Sequence, residues 1–290
     1  MICDICPREC GVDREKQTGF CGMPDSIFIA RAALHFWEEP FLSGKEGSGA
    51  VFFSGCNLRC VYCQNHHISS EKFGREISDK RLMEIFDSLI AQGANNLNLV
   101  TPTHYAHRLE KILREFKSTV PVIYNSSGYE KVETLKRLEG LIDIYLPDLK
   151  YIDSERAKNY SAAPDYFEYA SKAIAEMIRQ TGSPAFDERG MMTKGTVIRH
   201  LVLPKNTNRS IQIIDWLGEN VPEDTYISMM SQFTPVIHSD KFSELNRKIT
   251  QREYDKVITH LLESGFENCL IQEGEAAKES FIPDFDLTGL

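Results

Sequence analysis

The sequence predicts an α/β fold, an incomplete (β/α)6 TIM-like barrel that carries a small Cys-rich extension at its N-terminus. Six short apolar runs alternate with amphipathic segments whose apolar residues recur at helical spacing. Each run is almost continuously apolar, which is typical of strands in a parallel sheet covered by helices. Six such units favour an incomplete barrel, and a flat doubly wound sheet is the alternative that periodicity alone leaves open.

The strands and helices follow one another in a regular order. The predicted strands are AVFFSG (50–55), LNLVT (97–101), PVIYN (121–125), IDIYLPDLK (142–150), TVIRHLVLP (196–204) and TYISMM (225–230). The helix after the first strand is predicted to begin at the N-cap Ser78 and to end at Gly93. We divide the chain into a Cys-rich extension, residues 1–43, and a barrel, residues 44–290.

Composition and charge exclude several classes of function. The formal net charge of -9 argues against a nucleic-acid-binding surface. No apolar run approaches the roughly 20 residues that span a bilayer, and the N-terminus lacks the apolar stretch of a signal peptide. We therefore expect a cytoplasmic protein without nucleic-acid or membrane partners. The acidic end, Glu273 to Leu290, is expected either to cover the barrel or to extend into solvent.

The cysteines are concentrated near the N-terminus. Seven of the eight lie within the first 63 residues, and only Cys269 stands apart. An odd number of closely spaced cysteines in a reducing compartment indicates metal ligands more than disulfides.

A loop of three cysteines follows the first predicted strand. The stretch GCNLRCVYCQN holds Cys56, Cys60 and Cys63 in C-x3-C-x2-C spacing. Thiolates suit zinc, copper(I) and iron–sulfur clusters. One zinc ion would need a fourth ligand, which His66 or His67 could supply. A cluster on three thiolates would instead leave one iron open to a substrate or cofactor, as catalytic metal sites do.

This loop resembles the cluster-binding loop of the radical S-adenosylmethionine (SAM) superfamily. The cysteine spacing, the aromatic residue before the third cysteine and the position after the first strand all match. The resemblance extends from about Gly44 to the C-terminus and is closest to relatives of the pyruvate formate-lyase-activating enzymes. It implies a [4Fe–4S] cluster whose fourth iron is chelated by SAM. An electron from the cluster then cleaves SAM, which gives methionine and a 5′-deoxyadenosyl radical that abstracts hydrogen from a substrate.

The resemblance implies further SAM contacts near the loop and after the second predicted strand. Tyr62 matches an aromatic residue that lies near the adenine. The family's Gly-Gly-Glu motif, which receives the SAM amino group, is replaced here by residues 101–104, Thr-Pro-Thr-His. A hydroxyl of Thr101 or Thr103, or a carbonyl, would then have to accept that hydrogen bond, because no carboxylate stands there.

Three later strands carry the remaining matches. Asn125 and Ser126 stand where the activating enzymes have Asp-Thr-Asn-Gly, and Asp148 and Lys150 match their Leu-Asp-Leu-Lys. The resemblance implies that Lys150 pairs with the SAM carboxylate and that Asp148 binds a ribose hydroxyl or a cation. IRHLVLP resembles the family's fifth strand, so Arg199 is a candidate SAM contact. An arginine pointing inward from an apolar strand would need such a partner.

Four more cysteines form a separate motif. Cys3, Cys6, Cys10 and Cys21 have C-x2-C-x3-C-x10-C spacing, and four thiolates within 19 residues can wrap one metal. A structural zinc knuckle is favoured here, and a second iron–sulfur cluster that relays electrons is the alternative. A similar N-terminal pattern occurs in an uncharacterised branch of the radical SAM superfamily.

The resemblance predicts an anaerobic enzyme but leaves its substrate open. The substrate is a glycine loop of a partner protein, as for a glycyl radical activase, or alternatively a small molecule or peptide. A low-potential electron donor such as flavodoxin or ferredoxin is the expected partner. The rival of another class is a non-catalytic scaffold protein that holds two zinc ions.

Overall fold

A ten-stranded sheet organises the fold in the computed structural model, which describes residues 2–272 and 282–290. The strands are β1 (Ile27–His35), β2 (Ser48–Phe53), β3 (Arg75–Ile77), β4 (Leu97–Val100), β5 (Val122–Ser126), β6 (Ile144–Pro147), β7 (Ala185–Phe186), β8 (Met192–Leu201), β9 (Tyr226–Met230) and β10 (Cys269–Ile271). The helices are α1 (Pro40–Ser43), α2 (His66–Ser69), α3 (Asp79–Ala91), α4 (Ala106–Phe116), α5 (Val132–Arg137), α6 (Ser154–Ser161), α7 (Tyr166–Thr181), α8 (Thr207–Asn220) and α9 (Gln251–Glu263).

Parallel strands form the wall of an open barrel. Their order is β10–β9–β8–β6–β5–β4–β2, so all six predicted strands lie side by side and parallel. The predicted α/β class and partial barrel are therefore confirmed. Strands β2, β5 and β6 are buried at every position, as expected where both faces of a sheet are covered. Within the described residues no ladder joins the two edge strands, β10 and β3, so the barrel does not close.

The first predicted helix, α3, begins and ends as its sequence indicates. Ser78 accepts a hydrogen bond from the backbone N–H of Arg81, which satisfies one of the free donors at the helix start. The chain turns away after Gln92 at Gly93, whose φ of 93° suits glycine. None of the helices in the described part of the chain is long and apolar enough to cross a bilayer.

Two strands outside the predicted set extend the sheet beyond β2. Strand β1 pairs antiparallel with β2, and β3 pairs antiparallel with β1. Because β1 lies within residues 1–43, the predicted extension contributes a strand to the barrel sheet. The domain boundary after residue 43 stays a prediction.

The N-terminal segment, residues 2–26, packs against the barrel without a helix of its own. Cys3, Ile5, Cys21 and Met23 are buried in the same apolar core as β1, α3 and α4. An isolated bridge between Ile2 and Asp13 closes the segment into a loop. The segment therefore depends on the barrel for most of its apolar contacts.

Arg8 fastens this segment to two distant parts of the barrel. Its Nε donates to the carbonyl oxygen of Asn57 at 2.7 Å, in the three-cysteine loop. Its two terminal nitrogens donate to the carbonyls of Ala162 and Ser161, at the end of α6. The guanidinium of Arg8 thus links the N-terminal segment to residues that lie up to about half the chain length away in sequence.

The C-terminal residues 282–290 lie along β1. The N–H of Leu287 donates to the carbonyl of Ala30, and the N–H of Ala32 donates to the carbonyl of Thr288. The ring of Phe285 packs edge-on against Phe52, with centroids 5.5 Å apart. This part of the predicted acidic end covers an edge of the barrel, and residues 273–281 lie outside the described residues.

Replacing Gly55 by alanine tests the contact between the N-terminal segment and the barrel. A Cβ at Gly55 would lie 2.3 Å from Cγ of Met23 and 2.8 Å from the carbonyl oxygen of Cys21, at a φ of +82°. We expect Gly55→Ala to lower the free energy of unfolding by about 3 kcal/mol, measured by urea unfolding of the anaerobic protein.

The matched control is Gly93→Ala, which has a similar φ of +93° but no atom within 4 Å of the new Cβ. It should cost only about 1 kcal/mol, from backbone strain alone. Equal losses for the two variants would contradict a tight contact at Gly55.

Candidate active site

A cavity of about 210 Å³ opens at the carboxyl ends of the parallel strands. Its wall includes seven predicted cofactor contacts and all three loop cysteines: Tyr62, Thr101, Asn125, Ser126, Asp148, Lys150, Arg199, Cys56, Cys60 and Cys63. The strand topology brings these residues together, since parallel strands end at the same rim of a barrel. Their roles as SAM contacts stay predictions.

Each loop cysteine receives a hydrogen bond at its sulfur. The N–H of Leu58 donates to Sγ of Cys56 at 3.3 Å. The hydroxyl of Ser161 donates to Sγ of Cys60 at 3.0 Å, and the hydroxyl of Ser69 to Sγ of Cys63 at 3.4 Å. Such donors stabilise thiolates, and hydrogen bonds to sulfur help to set the potential of iron–sulfur clusters.

Burial keeps the Cys56 and Cys63 thiols from ionising without a metal. Desolvation, together with the neighbouring Cys60, raises the pKa of Cys56 to about 12. Burial and Cys60 likewise raise the pKa of Cys63. Metal binding would have to displace these protons, since only thiolates ligate. Three sulfurs that already have donors and face an open cavity fit a cluster with one free coordination position.

A hydroxyl chain that the sequence did not predict connects Cys60 with Tyr62. The hydroxyl of Tyr151 lies 2.7 Å from Oγ of Ser161, which itself donates to Cys60. Tyr151 also donates to the hydroxyl of Tyr62 at 2.8 Å. The Tyr62 ring packs edge-on against Phe233, with centroids 6.1 Å apart. The predicted adenine neighbour is therefore held rigidly at the cavity wall.

Arg199 and Asp148 form the charged floor of the cavity. Nε of Arg199 donates to Asp148 at 3.2 Å, and a terminal nitrogen donates to Oδ1 of Asn125 at 2.6 Å. Nζ of Lys150 donates to the other carboxylate oxygen of Asp148 at 2.5 Å. Burial acts to raise the pKa of Asp148, but Lys150 and Arg199 outweigh it and hold that pKa below its usual value.

Two glutamates before α1 complete this network, and the sequence analysis missed both. Glu38 lines the cavity and accepts hydrogen bonds from Arg199 at 3.2 Å and from Asn98 at 2.9 Å. Glu39 lies beneath it, and its Oε2 has no hydrogen-bond partner among the described residues. Burial raises the pKa of Glu39 although the cation of Arg199 opposes this. No local sequence motif identifies Glu38 and Glu39, because the side chains that interact with them lie on strands that are distant in the sequence.

Thr101 occupies the cavity wall in a strained conformation. Its φ is +61°, a region that β-branched residues rarely adopt. Its N–H donates to the carbonyl of Asn125 at 2.8 Å, which holds it in place. It stands at the start of the Thr-Pro-Thr-His stretch, where the resemblance expects glycine. Strain of this kind costs about 1–3 kcal/mol and is concentrated at functional sites.

Thr103 lies behind the cavity wall and contacts Glu130. It is fully buried and is not among the residues that line the cavity. Its hydroxyl donates to Oε1 of Glu130 at 2.5 Å, and the hydroxyl of Tyr124 donates to Oε2 at 3.3 Å. Burial raises the pKa of Glu130 to about 7, although hydrogen bonds from Thr103, Ser126 and Tyr124 oppose the shift. A carboxyl group therefore stands beneath Thr103 and Ser126, supplied by the loop after β5.

The histidines after the loop have other contacts. Nδ1 of His67 lies 2.9 Å from a carboxylate oxygen of Glu71, and its ring stacks on Phe73. Within residues 2–272 and 282–290, no group of three or more His, Cys, Asp or Glu side chains is gathered to hold a single metal ion. The ring of His67 is thus engaged by Glu71 and Phe73.

Comparison with known proteins identifies the family. The Radical SAM superfamily model matches residues 50–217, more than half of the chain. The chain belongs to the radical SAM superfamily. Membership implies a [4Fe–4S] cluster and SAM as cofactors and supports an enzymatic function. Over 266 residues the chain is also 29% identical to an uncharacterized protein of Methanocaldococcus jannaschii, MJ0674, covering 88% of this chain and 73% of the relative.

Solved structures agree with the radical SAM fold. SuiB from Streptococcus suis, bound to S-adenosylmethionine, aligns with a TM-score of 0.51 and 14% identity over 76% of this chain. The FeFe-hydrogenase maturase HydG from Carboxydothermus hydrogenoformans aligns with a TM-score of 0.51 and 16% identity over 78%. The matches cover 49% and 54% of those two chains, so this chain spans about half of their length. At such identities the likeness concerns the fold alone.

Replacing Ser161 tests whether its hydroxyl tunes the radical SAM cluster. Removing a donor to Sγ of Cys60 leaves more negative charge on the sulfur, which disfavours the reduced cluster. We expect Ser161→Ala to lower the reduction potential by an amount on the order of tens of millivolts, measured by EPR-monitored redox titration. Ser88→Ala, on the exposed face of α3, is the control. An unchanged potential in Ser161→Ala would contradict this role.

Replacing Glu130 tests its protonation in the folded protein. The pKa rises from 4.5 to about 7, so between these pH values the folded state keeps a proton that the unfolded state releases. The stability of the protein should therefore fall as pH rises through this window, by up to roughly 3 kcal/mol from this group. Glu130→Gln should flatten the decline, measured as free energy of unfolding against pH.

The exposed Glu155→Gln is the matched control and should follow the wild-type pH profile. If Glu130→Gln keeps the full decline between pH 4.5 and 7, Glu130 is not the group responsible.

Proposed function

We propose that this protein reductively cleaves SAM and abstracts a hydrogen atom from a glycine in a loop of a partner protein, as glycyl radical activases do. The observation that carries the first part is the cysteine loop, with three hydrogen-bonded sulfurs facing one side of the cavity. When bound, the cluster and SAM supply a low-potential electron and a hydrogen-abstracting radical.

The cavity residues bind and orient SAM. Lys150 has three N–H donors and Asp148 accepts only one, so the others remain for the carboxylate of SAM. Asp148 stays ionised and can accept a ribose hydroxyl, since two cations hold its pKa low. Tyr62 offers a fixed aromatic edge to the adenine, because Tyr151 holds its hydroxyl.

On this proposal, backbone carbonyls and side-chain hydroxyls accept the hydrogen bonds that the SAM amino group donates. Thr101 and Ser126 line the cavity next to the position of the family's Gly-Gly-Glu motif. Glu130 accepts hydrogen bonds behind them and so fixes the direction of the Ser126 and Thr103 hydroxyls. The buried carboxyl group of Glu130 thus takes the place of the glutamate in the Gly-Gly-Glu motif. It acts through the hydroxyls of Thr103 and Ser126.

The size of the cavity favours a macromolecular substrate. Its volume of about 210 Å³ has to hold the bound cofactors, which leaves little room for a substrate as well. Once the cofactors occupy it, a substrate has to present its reacting carbon from outside, as a protein loop can. The alternative, modification of a small molecule or peptide, needs a cavity that widens when the substrate binds.

An electron donor and an oxygen-free setting follow from this chemistry. SAM cleavage takes one electron, so we expect a low-potential donor such as flavodoxin or ferredoxin. Oxygen destroys exposed clusters of this kind, so an anaerobic, cytoplasmic setting fits the proposal. A scaffold that binds two zinc ions would need neither.

SAM cleavage by the anaerobically purified protein tests the proposal. The wild type should be brown, contain iron and release 5′-deoxyadenosine when SAM and dithionite are added. Cys60→Ala should lose this product, because the cluster loses one of its three thiolates. Cys269→Ala, on β10, should keep it. A colourless wild-type protein that contains zinc and leaves SAM intact would support the scaffold instead.

A further inference from the structure

The four cysteines of the N-terminal segment converge behind the barrel. Cys3, Cys6 and Cys21 are buried, Cys10 is half-buried, and all four are free thiols. A Cβ at Gly19 would lie 3.4 Å from Sγ of Cys10 and 3.7 Å from Sγ of Cys21, so these sulfurs flank one point. Electrostatic interactions couple Cys6 with Cys3 and Cys21, and Cys21 with Cys3 and Cys10. The four sulfurs thus belong to one cluster of side chains.

Arg14 places a buried positive charge beside these sulfurs. Its side chain is fully buried, and it donates to the carbonyls of His104 and Pro24. In the described part of the chain it forms no ion pair, and its Nε has no hydrogen-bond partner. Arg14 lies close enough to Cys21 for its charge to act on that sulfur.

Arg14 also acts on the carboxylate of Asp25, but Asp25 is already paired with His107 and Arg108. A buried cation whose nearby carboxylate is shared in this way needs further negative charge beside it. A metal bound by four thiolates carries a net negative charge and supplies it. Arg14 therefore points to an anionic metal–thiolate centre, independently of the cysteine spacing.

The segment that carries Cys21 lies directly against the loop that holds Cys56. The carbonyl oxygen of Cys21 would be 2.8 Å from a Cβ at Gly55, the residue before Cys56. Arg59, within the loop, donates to the carbonyl of Phe20 at 3.4 Å. The backbone segment that carries Cys21 therefore contacts the backbone segment that leads into Cys56.

The kind of metal follows from the arrangement of the sulfurs. In the part of the chain that the structure describes, neither set of cysteines is gathered to hold a single metal ion. A tetrahedral zinc ion needs four sulfurs at about 2.3 Å from one centre. A cluster distributes its thiolates over separate iron atoms, and in this respect the N-terminal set resembles the loop set, which holds a cluster in this superfamily.

We propose that Cys3, Cys6, Cys10 and Cys21 ligate a second iron–sulfur cluster that delivers electrons to the loop cluster. The half-buried Cys10 marks the side from which a donor protein approaches. One electron passes from a low-potential one-electron donor to this cluster, and one passes from it to the loop cluster. The second cluster returns to its starting state, and no bond or proton is exchanged. The electron-delivery step rests on the proposed function, whereas the metal site does not.

Metal analysis of loop variants tests the site without relying on activity. The full-length chain carrying Cys56→Ala, Cys60→Ala and Cys63→Ala is reconstituted anaerobically with iron and sulfide. We expect it to keep about four iron atoms per chain and the EPR signal of a reduced cluster, against about eight in the wild type. Zinc in place of iron, or no bound metal, would overturn the proposal.

Arg14 variants test the charge argument by a spectroscopic readout. In the triple loop variant, Arg14→Gln should lower the reduction potential of the remaining cluster, because a nearby cation stabilises the added electron. Arg14→Lys keeps the charge and should restore the potential. An Arg14→Gln cluster with the wild-type potential would contradict a role of Arg14 in balancing its charge.

Electron delivery is tested with Cys10→Ser and Cys21→Ser together, with Cys269→Ser as the control. The double variant should still cleave SAM with dithionite, which is small enough to reach the loop cluster directly. It should lose cleavage driven by reduced flavodoxin, whereas Cys269→Ser keeps both. Flavodoxin-driven cleavage at the wild-type rate would overturn the relay. If the wild type does not cleave SAM with dithionite, the proposed function is refuted. The metal site is then still tested by the iron content of the triple loop variant.

Discussion

The largely enclosed guanidinium of Arg199 joins the groups that form the floor of the cavity. Arg199 reaches inward from β8 and binds Asn125 on β5, Asp148 after β6 and Glu38 before α1. Removing such a cation from water costs several kcal/mol unless all its donors are used, so its partners have to be held in register. The strand ends and the chain before α1 are therefore fixed relative to one another by a single side chain.

The loop cysteines line the same cavity as this network. Their position depends on the N-terminal segment, which packs behind Gly55 and hydrogen-bonds Asn57 through Arg8. Ser161, whose carbonyl Arg8 binds, also donates to Cys60. The cysteine loop is thus supported from behind by the extension and from the side by α6.

Much of this architecture can be predicted from sequence. The six predicted strands are almost continuously apolar, so periodicity alone reveals them, and their polar ends mark the cavity. The loop motif is specific because three thiolates at fixed spacing have few structural uses. Strand β1 was missed because it lies among residues taken for a Cys-rich extension, and its antiparallel pairing with β2 is a tertiary property.

The supporting carboxylates could not be predicted in this way. Glu38 meets Arg199 across 161 positions of the chain, and Glu130 meets Thr103 only after β4 and β5 have paired. No local pattern marks a glutamate that is buried by such long-range contacts. The strain at Thr101 is likewise invisible in the sequence, where a threonine after a strand is ordinary.

The attachment of Arg8 also has a consequence for the order of events during synthesis. The N-terminal segment leaves the ribosome first, yet its partners Ser161 and Ala162 follow more than 150 positions later. Until α6 has emerged, Arg8 has no carbonyls there to bind, because such long-range contacts form late. The N-terminal segment can pack against β1, α3 and α4 earlier, but its attachment beside the cysteine loop is completed only once α6 has been made.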